Sequence, residues 1–290
     1  MRIVYHLGAH CTDEERLIRC LLKNRALLAA QDIAVPPPTR YRKLLRDTAV
    51  QLKGAAATVE TQTMILEEIL DEDVPDRLIL SWDSFLSFPQ WALRGALYSY
   101  AGERIRAFTQ IFPGIKAEFH LAIRNPATFL SALFALQKGK SYDEFMEGAD
   151  PLLLRWSSVV DQIIAQNNDA PLTIWCDEDT PLIWPEVLQA VSGHEPGTVL
   201  QDADELLSIL MSPDGFSRLK AELASHPPAD EAERRRTVSE FLQRHALPYR
   251  VEAEVDLPGW TDELVAAVTE RYYEDVARIR ARPGIRFLGA

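Results

Sequence analysis

Two stretches of this chain carry residue types suited to holding an anion. The first is Gly8-Ala9-His10-Cys11-Thr12, which follows the short apolar run Ile3–Leu7. A turn between a strand and a helix aims backbone N–H groups and the positive helix end at an anion. The second is Arg124-Asn125-Pro126, which follows Ala117–Ile123 and is itself followed by Thr128 and Ser131. An arginine leaving a strand end can grip a phosphate with a forked pair of hydrogen bonds. It can equally pair with a carboxylate and serve only the strand end. His10, Asp83 and His120 are the residues of the right type to take a proton from an acceptor hydroxyl. His120, like His6, falls inside a strand run, where a hydrogen-bonded core histidine is the commoner outcome.

The remaining reactive side chains point to blander roles. His10 and Cys11 could meet Cys176, Asp177, Glu178 and Asp179 around a metal ion, since nitrogen, sulfur and oxygen donors would all be present. No close-spaced ligand pair supports that, so no metal is expected. Cys11 and Cys176 read as small buried residues and Asp177–Asp179 as a solvated loop. Cys11 at a helix start would favour an acidic thiol, but Asp13, Glu14 and Glu15 oppose a thiolate. Trp82, Trp175 and Trp184 are candidates for pocket walls, although buried aromatics more often build core. Arg234-Arg235-Arg236 reads as a solvated helix face, or as a dock for an anionic partner.

These residues are positioned by an alternation of strands and helices. Ile3–Leu7, Arg77–Trp82, Ala117–Ile123 and Pro171–Cys176 read as buried strands, and Ile33–Val35 as a short extended segment before three prolines. Between them fall helices over Thr12–Ala30, Tyr41–Leu70 (broken near Gly54), Trp91–Phe112, Phe129–Lys138 and Leu152–Asn167. Thr12 with Glu15 three residues later predicts a capping box. Strands that alternate with helices imply crossover connections, so the expectation is an α/β fold with a parallel, doubly wound sheet. Residues 1–180 would form this core. Residues 181–290 would form a mostly helical extension packed on it, ending in a helix over Thr261–Arg282.

Composition bounds the function. The chain has 290 residues, 47% of them hydrophobic, which suffices for a large core. A net charge of −12 argues against nucleic acid as a partner, which needs a basic face. Three cysteines give no disulfide framework and suit a reducing compartment. The sequence has no apolar run of membrane-spanning length and no signal-peptide core, so a cytoplasmic protein without a membrane partner is expected.

In order and context the two anion-type stretches resemble the cofactor-binding pair of the sulfotransferase family. That family's first loop reads roughly Gly-x-x-Lys-Thr-Gly-Thr-Thr, where this chain has Gly8-Ala9-His10-Cys11-Thr12-Asp13-Glu14-Glu15. Its 3′-phosphate motif, Arg-(Asp/Asn)-Pro with a later serine, is similar to Arg124-Asn125-Pro126 with Ser131. The resemblance implies a P-loop-type scaffold and 3′-phosphoadenosine 5′-phosphosulfate as cofactor. It also implies transfer of sulfuryl to a hydroxyl or amine of a small-molecule or carbohydrate acceptor. On that reading Gly8–Thr12 cradle the 5′-phosphosulfate, while Arg124 and Ser131 hold the 3′-phosphate.

The departures cut the other way. Cys11 stands where the family has lysine, and Asp13, Glu14 and Glu15 stand where it has small residues. Carboxylates at a helix N-terminus would repel a polyanion. An active protein would therefore need another cation in the site, with Arg16, Arg40 and Arg42 as the donors available. The alternative is a degenerate member that keeps the scaffold as a binding or interaction module. An acidic cleft at the strand ends would favour that alternative, and a basic one the enzyme. Phosphoryl transfer is disfavoured, since the chain has no Gly-x-x-x-x-Gly-Lys-(Ser/Thr).

Overall fold

The computed structural model describes residues 1–71, 74–167, 170–251 and 255–289. The chain opens with β1 (Arg2–His6), α1 (Arg16–Lys23), α2 (Arg25–Ala29), β2 (Ile33–Ala34), α3 (Pro38–Leu52), α4 (Val59–Ile69) and β3 (Arg77–Ser81). A short antiparallel pair, β4 (Leu93–Arg94) with β5 (Ala96–Leu97), precedes α5 (Ala101–Thr109), β6 (Lys116–Ile123), α6 (Pro126–Ala135) and α7 (Tyr142–Met146). Then come α8 (Trp156–Gln166), β7 (Leu172–Cys176), α9 (Thr180–Ser192), α10 (Glu205–Leu210), α11 (Pro213–Ser225) and α12 (Glu231–His245). The last elements are α13 (Pro248–Val251), α14 (Asp262–Arg280) and β8 (Ile285–Leu288).

Six strands form one sheet in the order β2-β3-β1-β6-β7-β8, with every pairing parallel. The strands are short continuous apolar runs because both faces are covered by helices. Alternation along each strand sends side chains to opposite faces. Ile3, Tyr5, Leu78, Leu80, Phe119, Leu121 and Ile174 pack on one face with residues of α3, α5, α6, α8 and α14. Val4, Ile79, Ala122 and Trp175 pack on the other with residues of α1 and α9. Each fully buried Leu, Ile or Phe contributes about 1.5–3 kcal/mol relative to exposure. Gly102 lets α5 lie against α8, since an added Cβ would overlap the Gln162 carbonyl.

The second face also holds a belt of buried polar groups. The strand pairing aligns Arg2 with Arg77, and His6 with both Ser81 and His120. Glu118 accepts from Arg77 at 2.6 and 3.0 Å, from Arg2 at 3.0 Å and from His120 Nε2 at 2.7 Å. Arg77 also donates to the carbonyls of Ala190 and Val191, which tethers the C-terminal end of α9 to the sheet.

The strand expectations hold, and the sheet gains a member that the sequence pattern does not reveal: β8, which pairs with β7 at the far edge. Helix bounds shift by a few residues in several places, and two helices differ most from expectation. Residues 91–100 fold as a turn and the β4–β5 pair, with Gly95 and Tyr98 at positive φ, so α5 begins only at Ala101. The first helix begins at Arg16 rather than Thr12. Past α9, the chain returns to the sheet through α14 and β8, while α10–α12 close around a separate small cluster of Leu207, Met211, Leu219 and Val238. Among the described residues no helix is long and apolar enough to cross a membrane.

Candidate functional site

In a parallel α/β sheet, ligands bind beyond the carboxyl ends of the strands, where neighbouring connections diverge. Here β1 sits between β3 and β6, so the loops after β1, β6 and β7 meet at that edge. They border a cleft of about 680 Å³ whose opposite wall is built by α10, α12 and α13. That volume lies within the range of pockets for small molecules.

The loop after β1 is held by its own geometry. Gly8 takes a φ of +64°, and a Cβ there would stand 3.0 Å from Asp83 Cα. Cys11, Glu14 and Glu15 also adopt positive φ, so the chain turns several times before α1. The Thr12 hydroxyl donates to the Ala9 carbonyl and caps nothing. Asp13 does the capping instead: its carboxylate accepts from Leu17 N at 3.1 Å. The expected capping box of Thr12 with Glu15 is therefore absent, because the left-handed turn at Glu14–Glu15 puts Asp13 within reach of the helix end. The helix terminus that would receive a phosphate is closed by a carboxylate.

The loop after β6 places Arg124 in the cleft wall. Its guanidinium donates to the Cys11 carbonyl and, through Nε, to Thr128 Oγ1 at 3.1 Å. Arg124 thus ties the β6 loop to the β1 loop through a carbonyl and a hydroxyl, where the sequence left open a carboxylate partner at the strand end. Asn125 caps α6 through Ala127 N and donates to Thr269 of α14. The loop after β7 supplies Asp177 and Glu178. Glu178 accepts from Asn125 N at 2.7 Å and from the Tyr272 hydroxyl at 2.9 Å. The Asp177 carbonyl accepts from Thr180 N, and its carboxylate forms no hydrogen bond or ion pair among the described residues. Burial pushes its carboxyl up to about 7 against the pull of Arg124, and Glu178 and Asp13 add to the rise.

The residues singled out in the sequence separate into groups. Thr12 and Arg124 line the cleft. Gly8, Ala9 and His10 are buried away from it. Cys11 is half-buried and reaches Arg124 through its backbone, with its thiol pushed up to about 11 by burial. Ser131 accepts from Asp256 N and lies outside the cleft lining, so it does not join Arg124 as a phosphate pair.

The three candidate bases do not converge on the cleft. His10 stacks on Tyr98 with ring centroids 5.8 Å apart, its Nδ1 2.8 Å from the Tyr98 hydroxyl, and burial lowers its basicity. Asp83 is exposed and near enough to His10 to act on its charge. His120 lies in the polar belt under α9, bonded to Glu118. Of the arginines offered as substitutes for the family lysine, Arg16 lines the cleft and pairs with Glu14 at 2.6 Å. Arg40 pairs with Asp71, and Arg42 holds Glu15 and the Ser81 carbonyl, both outside the lining.

Among the described residues no group of three or more His, Cys, Asp or Glu side chains could hold a metal ion, so His10 and Cys11 do not combine with Cys176–Asp179. Trp184 stands at the cleft wall, as its type allowed; Trp175 stacks on His6 and Trp82 packs among Phe85, Phe88 and Phe108. Arg235 pairs with Glu186 and Arg234 with Asp204, so two of the basic run hold α12 in place.

Sequence reasoning gave Thr128 no role of its own, although it falls in the Arg124–Ser131 stretch, and missed the apolar wall from Leu182, Leu206, Leu210 and Leu242. Nothing in local spacing signals that wall, because its residues come from separate helices. No family model, no curated protein and no solved structure matches the chain.

Proposed function

We propose that this chain is a sulfotransferase-like α/β protein whose strand-end cleft serves as a binding module for a small molecule, with sulfuryl transfer from 3′-phosphoadenosine 5′-phosphosulfate lost. One observation carries the reading: the helix terminus that would cradle the 5′-phosphosulfate already holds the Asp13 carboxylate. The charge around it agrees. Asp13, Glu14, Asp177 and Glu178 line the cleft against Arg16, Arg124 and Arg250, so the wall is not basic. A polyanion there would meet four carboxylates at short range, with Arg16 already paired to Glu14 and Arg124 already bonded to the Cys11 carbonyl and Thr128. Calorimetric titration with 3′-phosphoadenosine 5′-phosphate, beside an Arg124→Ala control, tests this. The expected result is no binding up to millimolar ligand for either protein. Micromolar binding that Arg124→Ala abolishes would restore the enzyme reading, and a search for the acceptor would follow.

A further inference from the structure

The cleft has two chemically distinct ends. At the strand ends most polar groups are engaged within the protein: Asp13 with Leu17 N, Arg124 with Cys11 and Thr128, Glu178 with Asn125 and Tyr272. Three are not. The Asp177 carboxylate has no hydrogen bond or ion pair among the described residues. Thr180 Oγ1, on a residue only 5% exposed, and Arg16 Nε are buried without partners. All three residues line the cleft. Buried polar atoms are seldom left unsatisfied, and each costs about 1–3 kcal/mol when it is. The other end is apolar, formed by Leu182, Trp184, Leu206, Leu210, Leu242 and Val251.

We infer that the cleft binds an uncharged amphiphile: a primary carboxamide, or an equivalent head carrying both donor and acceptor, on an apolar chain. This rests on the reading that the cleft no longer takes a phosphosulfate cofactor. The unengaged groups are one acceptor, the Asp177 carboxylate, and two donors, the Thr180 hydroxyl and Arg16 Nε–H. An amide head answers all three, with its NH2 donating to Asp177 and its carbonyl accepting from Thr180 and Arg16. An anionic head would face Asp13, Glu14, Asp177 and Glu178, and a cationic head would bring no acceptor to the Thr180 hydroxyl and Arg16 Nε–H. The apolar chain would lie under α10 and α12, where burial of each added methylene tightens binding by about fourfold.

Octanamide, octanoate and octylamine form a test series of one chain length and three charges. Each is titrated calorimetrically into the full chain, with 3′-phosphoadenosine 5′-phosphate as a parallel titrant. Octanamide is expected to bind at least tenfold tighter than the other two, and about sixteenfold tighter than hexanamide. Asp177→Ala should weaken octanamide about tenfold or more. Leu242→Ser should leave hexanamide within a few fold and erase the gain from the longer chain. Both variants are first shown to keep a cooperative thermal transition; if Asp177→Ala loses it, Asp177→Leu takes its place. Octanoate or octylamine binding as tightly as octanamide would overturn the inference, as would octanamide binding unchanged by loss of the Asp177 carboxylate. If no amphiphile binds and the nucleotide does not either, the inference alone falls. If the nucleotide binds, the reading beneath it falls too.

Discussion

Glu118 is the hub of the polar belt under α9, and Glu118→Gln isolates its charge at nearly constant volume. The carboxylate is nearly buried, its side chain 10% exposed, and it accepts four hydrogen bonds from Arg2, Arg77 and His120. Arg2 is 44% exposed, so its share is small. Arg77 is 16% exposed and would keep the α9 carbonyls and one neutral amide oxygen as partners, with no anion to balance its charge. Removing one partner of a buried ion pair costs about 3–5 kcal/mol, because the other charge stays buried. With an unfolding entropy of about 2.1 cal/mol/K per residue, that lowers Tm by roughly 5–8 °C in a chain of this length.

Denaturant unfolding near neutral pH would measure the loss, and a cycle with Arg77→Met would isolate the pair. Burial works to raise the Glu118 pKa, but hydrogen bonds from His120 and Arg77 hold it well below the ordinary range. A depressed carboxylate stabilises the fold above its unfolded pKa, and that contribution fades as pH falls below about 4.3. The difference between wild type and variant should therefore shrink in acid. A loss under about 1 kcal/mol at neutral pH, or no coupling to Arg77, would refute the account.

Three further outcomes follow from the same geometry. Gly8→Ala should lose about 1–3 kcal/mol in denaturant unfolding, since it adds a left-handed penalty to a contact with the Asp83 backbone. Asp177→Asn should stabilise the fold by about 1–2 kcal/mol at pH 8 and by little at pH 4. A raised carboxyl pKa means that stability falls as pH rises from the unfolded value through about 7, and partial exposure discounts the shift. Burial lowers the pKa of His6, His10 and His120, so each stays neutral in the fold while the unfolded chain takes up protons below about 6.5. A plot of stability against pH should therefore bend down below about 6.5, and His10→Phe should soften the bend.

Much of the sheet was legible because its strands are buried on both faces. Ile3–Leu7, Arg77–Trp82, Ala117–Ile123 and Pro171–Cys176 are continuous apolar runs, and runs of that kind separated by helical periodicity admit few arrangements other than crossover-connected parallel strands. The edge strand Ile285–Leu288 escaped because it is only partly buried and carries Arg286 in its middle. The β4–β5 pair escaped because it depends on positive φ at Gly95 and Tyr98, which an otherwise helix-compatible stretch does not announce.

The site divides along the same line. The sequence alone led to the expectation that the β1 and β6 loops meet at the strand ends, and it put Asp13, Glu14 and Glu15 at the start of the first helix. It could not determine which carboxylate closes the helix end, since Thr12 and Asp13 both suit a cap and the choice turned on the backbone at Glu14 and Glu15. Nor could it show that Arg124 is drawn to a carbonyl of the neighbouring loop, or that the Asp177 carboxylate and the Thr180 hydroxyl lack partners among the described residues. Residue type sets what each group can bond to. Only tertiary packing decides which partners come within about 3 Å, and which polar groups are left for a ligand.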